Sequence, residues 1–210
     1  MTARLVGNDV VALGSAEAAA SSEREGYAER VCSPAELERL RASPHPPLLL
    51  WQLFAAKEAA YKVVVKLAPT TLLAHRLFEV SPELTQVRHG DLVLPLWLDT
   101  TAQRVHAVVT TGGEVDLAGV SLLAEGEPQS GAARRALVRA AAKRLGCPVE
   151  ELAVLRPSRP GSWDGYGPPV LLRNGEPLDV DVSLSHDEEY VAFAAAGVAL
   201  ADRESGVPRP

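Results

Sequence analysis

The segment Trp51-Gln52-Leu53-Phe54-Ala55-Ala56-Lys57-Glu58-Ala59-Ala60-Tyr61-Lys62 holds neither glycine nor proline, and its apolar residues recur at helical spacing. It lies inside a helix expected from about Pro46-Pro47 to Leu67, where Pro69 stops the run. Leu49, Leu50, Leu53, Phe54, Ala60, Val64 and Val65 give that helix a broad apolar face. Trp51, Ala55, Glu58 and Lys62 line one stripe, and Lys57 and Tyr61 the neighbouring one. By spacing alone, Glu58 and Lys62 make an exposed i, i+4 ion pair worth about 0.3–0.5 kcal/mol.

Toward the N-terminus, Ser33-Pro34-Ala35-Glu36 predicts the start of a shorter helix that ends near Ser43-Pro44. Ser33 can cap, proline suits the first helical position, and Glu36 can close a capping box. Leu5 to Leu13 is rich in valine and leucine and predicts a strand. Alternation sets Leu5, Gly7, Asp9 and Val11 on one face and Val6, Asn8 and Val10 on the other. Asp9 either marks a turn or is a carboxylate that must meet a cation or donors, because burying it alone is costly.

Toward the C-terminus the pattern changes to β-like runs, Leu92 to Leu98 and Val105 to Thr111, closed by Gly112-Gly113. Residues 114–130 are rich in glycine and acids and read as a linker, with a short strand around Val120 to Leu123. A third helix is expected from Ala132 to Leu145, stopped by Gly146 and carrying Arg134, Arg135, Arg139, Lys143 and Arg144 on its polar face. Arg156 to Gly167 reads as a loop. Val170 to Leu172, Val180 to Ser185 and Tyr190 to Leu200 read as strands. Each part thus runs from helix to strands and closes on a strand ending in glycine, at Gly112 and Gly197. The expectation is an α+β chain of two similar halves, 1–113 and 131–200, with any site at the seam and a tail from 201 to 210.

Composition bounds what such a chain does. Of 210 residues 47% are hydrophobic and 23% charged, as in ordinary globular proteins. A net charge of -6 argues against a general nucleic-acid binder. Cys32 and Cys147 stand far apart with no partner at ligand spacing, which excludes a zinc site and fits a reducing compartment. The first residues lack a signal-peptide apolar core, and the richest apolar stretch, Leu48 to Ala56, is too short to span a bilayer. A cytoplasmic location is the expectation.

Ser183-Leu184-Ser185-His186 ends one of the β-runs. Taken alone, His186 reads as a strand-end histidine in a local hydrogen bond. A hydrolase triad fits poorly, since there is no G-x-S-x-G elbow and adjacent strand residues point to opposite faces.

In order, Val6-Gly7-Asn8-Asp9-Val10-Val11, Phe54 to Lys62 and Val182-Ser183-Leu184-Ser185-His186-Asp187 resemble the 4′-phosphopantetheinyl transferase superfamily. The resemblance runs from residue 5 to about 197 and lies in a G-x-D strand, a K-E-A-x-x-K helix and an S-x-S-H strand. Arg30 to Leu40 also looks like the matching segment of the holo-acyl-carrier-protein synthase branch. The resemblance implies a pseudo-twofold fold and transfer of phosphopantetheine from coenzyme A to a carrier-protein serine, with release of 3′,5′-ADP. It implies that Asp9 and Glu58 hold Mg²⁺ (Mn²⁺ as an alternative) with the coenzyme A pyrophosphate, in keeping with that cation's use of one or two carboxylates plus substrate phosphates. It further implies Lys62 at the departing phosphate, Glu58 as base, and Lys57, His186 and Ser185 at coenzyme A phosphates. Arg135, or less directly Arg134, matches an arginine at the 3′-phosphate.

The chain departs from the larger, surfactin-synthetase-activating branch in three ways. Val11 stands where a third acid is usual, and Gly167-Pro168-Pro169 stands in place of G-K-P. The Ser-His half comes last. A non-catalytic coenzyme A- or carrier-binding relative is the rival these departures motivate. The implied partner is an acyl, polyketide or peptidyl carrier protein, and a tandem chain of this kind is expected to work as a monomer.

Overall fold

The structure, a computed structural model, describes residues 4–160 and 165–198; the expected tail at 201–210 lies outside the described residues. The described chain forms two five-stranded antiparallel sheets, each with one long helix. The first half contains β1 (Val6–Ala12), α1 (Ala16–Glu23), α2 (Tyr27–Val31), α3 (Pro34–Ala42), α4 (Pro46–Leu67), β2 (Glu79–Val80), β3 (Gln86–His89), β4 (Leu92–Thr100) and β5 (Arg104–Thr110). The second contains β6 (Leu117–Leu122), α5 (Gln129–Leu145), β7 (Leu152–Leu155), β8 (Val170–Arg173), β9 (Glu176–Asp187) and β10 (Tyr190–Ala196).

The sheet orders are β1-β5-β4-β3-β2 and β6-β10-β9-β8-β7. Each half therefore lays down a strand, then its long helix, then four strands that fold back so that the last one lies beside the first. This is the α+β, two-half architecture expected from the sequence. It corrects one boundary. The stretch 114–130, read as a linker, contains β6, which pairs along β10 as β1 pairs along β5. The second half opens at Leu117, ahead of the expected 131. The short strand expected around Val120 to Leu123 is the end of β6, and glycine obscured its start: a Cβ at Gly119 would stand 2.9 Å from the Phe193 ring, so the ring crosses where a side chain would be.

Local chemistry accounts for the elements around the site. Ser33 caps α3 through a capping box, its oxygen accepting from the Glu36 N–H while Glu36 accepts from the Ser33 N–H. Gly146 ends α5 in the left-handed conformation. On α4, Ala55, Ala56, Ala59, Ala60 and Val63 are all buried against Val11, Val105, Ala107 and Val109 of the sheet. Four alanines in that set let the helix axis come close to β1 and β5. A second core joins Leu137 and Ala141 of α5 to Leu171, Val182 and Phe193. The halves meet where Val6 and Val108 bury against Ala194 and Ala196. Among the described residues no helix is long and apolar enough to cross a membrane.

Candidate functional site

The site is built where β1 passes under α4. At Gly7 an added Cβ would stand 2.0 Å from the Ala59 carbonyl oxygen, so only glycine allows the strand this close to the helix. Two residues on, Asp9 faces α4. Lys62 Nζ lies 2.9 Å from Asp9 Oδ1 and 2.8 Å from the Asn8 carbonyl oxygen. The Asp9 carboxyl is raised to about 6, chiefly by burial, with Lys62 pulling against it and the nearby acids Glu58 and Asp187 adding to it.

The i, i+4 pair suggested by spacing does not form. Lys62 turns to Asp9, and Glu58 Oε1 lies 2.8 Å from His75 Nε2. His75 follows α4 in a short 3-10 turn, and its ring stacks on Phe54 with centroids 5.2 Å apart. Sequence reasoning passed over His75. It belongs to no motif, and only the return of the chain along α4 brings it to Glu58.

The second half completes the seam through β9. Asp181 Oδ2, Ser183 Oγ and Asp187 Oδ2 accept the backbone N–H groups of Val6, Asn8 and Ala12 at 2.7, 2.9 and 2.7 Å. Each pair is 175 residues apart, so the two strands run in the same direction in register. The free edge of β1 is thus sealed by side chains where a neighbouring strand would otherwise pair. Ser185, one step along this row, donates to Asn8 Oδ1 at 2.6 Å. Its hydroxyl is buried in the seam and engaged there. Lys66 Nζ reaches across to Asp181 at 2.6 Å and to the Val6 and Val182 carbonyls; burial lowers its pKa and Asp181 raises it.

His186 points to the other side of β9 and is exposed. Burial of the ring and then the Lys62 charge lower its pKa against the pull of Asp187, so the Ser-His strand brings His186 within the field of Lys62. On α5, Arg135 is exposed and ion-paired with Glu127. Arg134 is half-buried, with Nε enclosed and without a hydrogen-bond partner among the described residues.

Lys57 is corrected. It was expected at coenzyme A phosphates, yet it is fully buried on another side of α4. Its Nζ lies 2.5 Å from Glu36 Oε2 and 2.8 Å from the Val31 carbonyl oxygen. Burial lowers its pKa, with Glu36 opposing. Glu36 also accepts the Val80 N–H, so the pair joins α3, α4 and β2. An adjacent lysine and glutamate on a helix project about 100° apart, which sends Lys57 into the core while Glu58 meets His75.

The donor set suits a hard divalent cation. Asp9 and Glu58 both offer carboxylate oxygens here, and the Glu58 charge adds to the burial that raises the Asp9 pKa while Lys62 opposes it. One oxygen of each is already engaged, by Lys62 and by His75. Val11 is buried in the core and supplies no third acid. Among the described residues no group of three His, Cys, Asp or Glu side chains stands ready to hold a metal. A divalent cation held here would draw on one free oxygen from each of Asp9 and Glu58 and take its other ligands from outside the side chains of the described residues.

The family model for the 4′-phosphopantetheinyl transferase superfamily matches residues 5–109. No curated protein matches the chain. The matched region spans β1 to β5, including Gly7, Asp9, Glu58 and Lys62, and amounts to half of the 210 residues. With its two sheets of matching strand order and the Gly7–Asp9 strand held against the Glu58–Lys62 helix, the chain belongs to the 4′-phosphopantetheinyl transferase superfamily.

Proposed function

We propose that this protein moves 4′-phosphopantetheine from coenzyme A onto a serine of an apo acyl or peptidyl carrier protein, as a holo-acyl-carrier-protein synthase does, and releases 3′,5′-ADP. The observation that carries the reading is the contact of Lys62 with Asp9 beside Glu58, three groups from two elements gathered at the seam of the halves.

In the reaction the serine oxygen bonds to the β-phosphorus, the bond from that phosphorus to the bridging oxygen breaks, and the electron pair leaves with the α-phosphate of 3′,5′-ADP. Glu58 takes the serine proton. Lys62 faces the charge that builds on the departing phosphate. Asp9 and Glu58 would hold Mg²⁺, or Mn²⁺ in its place, which when bound neutralises pyrophosphate charge. His186 and Arg134 or Arg135 offer donors to the remaining phosphates. Ser185 is tied to Asn8 and acts as a seam residue, and buried Lys57 leaves the phosphates to these others. Acidic carriers would dock beside the cleft, steered by basic groups despite the net charge of -6. The two free cysteines fit work in a reducing cytoplasm, and the tandem halves fit a monomer.

The test mixes purified protein with coenzyme A, Mg²⁺ and each of several apo carrier proteins. A phosphopantetheine mass gain on the carrier is the expected result. Coenzyme A binding without mass gain on any carrier would favour a non-catalytic relative instead.

A further inference from the structure

Glu58 has a lysine four residues on, in the favourable order for a helix pair, and does not use it. Lys62 is held by Asp9 and the Asn8 carbonyl, and Glu58 Oε1 faces His75 Nε2 at 2.8 Å. The ring of His75 is fixed from several directions. It stacks on Phe54, one turn before Glu58, with an interplanar angle of 22°. The loop leading to it is tied back to α4, because the Ala68 N–H donates to the Val64 carbonyl and the Tyr61 hydroxyl to the Thr71 carbonyl. Just beyond, the Phe78 N–H donates to the His75 carbonyl at 3.0 Å, and Phe78 is fully buried. The turn that carries His75 is therefore held on both sides in the chain, and the ring itself rests on Phe54.

An ionised carboxylate only accepts hydrogen bonds, so the contact requires the hydrogen on His75 Nε2. Oε1 of Glu58 is then engaged, and Oε2 is the oxygen left for a ligand. We infer that His75 is a positioning residue for Glu58: it fixes one carboxylate oxygen, keeps the side chain off Lys62, and presents the second oxygen alone to substrate or cation. What Glu58 then does rests on the transfer reading above, whereas its orientation by His75 does not.

The test uses the whole chain. Long-range ¹H–¹⁵N NMR of the histidine rings is expected to show a hydrogen on His75 Nε2, and a ring with its hydrogen on Nδ1 alone would overturn the inference. Mn²⁺ binding, followed by electron paramagnetic resonance with coenzyme A present, adds a second readout. His75→Leu is expected to raise the half-saturating Mn²⁺ concentration by about 10–100-fold, the usual effect of losing a partner that orients a metal ligand. In His75→Gln an amide N–H can take over, and binding should recover to within about threefold of the unaltered protein. In transfer assays kcat should follow the same order while KM for coenzyme A stays within about twofold. Mn²⁺ binding unchanged in both variants, with melting temperatures intact, would refute the role. An unaltered protein that binds Mn²⁺ and coenzyme A yet transfers nothing would remove the transfer reading, while the tautomer and Mn²⁺ arms still decide the role of His75.

Discussion

Gly7 of β1 and Ala59 of α4 touch backbone to backbone: a methyl group at position 7 would stand 2.0 Å from the Ala59 carbonyl oxygen and 3.2 Å from Lys62 Cβ. The first of these neighbours is main chain and cannot rotate away. The helix and strand must separate to admit any side chain, and Asp9, two residues along, moves away from Lys62 and Glu58 as they do. Gly7→Ala is expected to destabilise the fold by about 1–3 kcal/mol, as overpacking does. It should also lower transfer by about 100-fold, since misplacement on the order of 1 Å can cost that much. Urea midpoints and transfer rates check both, and an unaltered rate would detach the glycine from the site.

Lys62 is the cation that holds the Asp9 pKa down against burial and two neighbouring acids. Lys62→Met keeps the stem and removes the charge. The Asp9 carboxyl should then titrate above its value of about 6, the direction set by losing a favourable charge, and ¹³C NMR of the carboxyl reads it directly. Transfer should fall by about 10²–10³-fold, typical for removing one preorganised group at developing charge. An Asp9 titration that stays put would mean that Lys62 points elsewhere in solution.

Much of this arrangement was legible in the sequence for stated reasons. The bounds of α4 followed from Pro46, Pro69 and an apolar face, and the cap of α3 from Ser33 and Glu36. Asp9 stood out because an acid in an apolar strand needs a partner, and Lys62 is that partner. What could not be read was which partner each charge takes. Helical spacing offered Lys62 to Glu58, and the fold gave Lys62 to Asp9 and His75 to Glu58, contacts 53 and 17 residues apart. Lys57 illustrates the same limit, because its place in a phosphate-binding motif says nothing of the buried Glu36 that receives it. The acids and serines of β9 form a seam, which only the edge of β1 lying alongside could reveal.

The Lys57–Glu36 pair makes a stability prediction with a kinetic control. Glu36→Ala leaves a fully buried ammonium without its counter-ion and also strips acceptors from the Ser33 and Val80 N–H groups. Breaking one side of a buried pair costs about 3–5 kcal/mol. KM for coenzyme A, measured below the lowered melting point, should match the unaltered protein. A raised KM at unchanged stability would return Lys57 to the phosphates.

His106 gives the fold a pH dependence of definite sign. It is fully buried, its Nε2 has no hydrogen-bond partner among the described residues, and Trp97 meets it edge-on at 6.2 Å. Burial first, then the Arg104 charge, lower its pKa to about 4, with Asp99 opposing. Between about 6.5 and 4 the unfolded chain binds a proton that the folded one refuses. The neutral histidine's contribution is therefore intact above about pH 6.5, falls as pH drops toward 4, and changes no further below that. The loss amounts to about 2 kcal/mol between pH 7 and 5 and about 3 kcal/mol in all. Other groups titrate in the same window, so the measurement is a difference: urea unfolding of the unaltered chain against His106→Leu at each pH. The gap between them should shift in favour of the leucine variant by these amounts on acidification, and a constant gap would mean that His106 is already solvated or partnered in the folded chain.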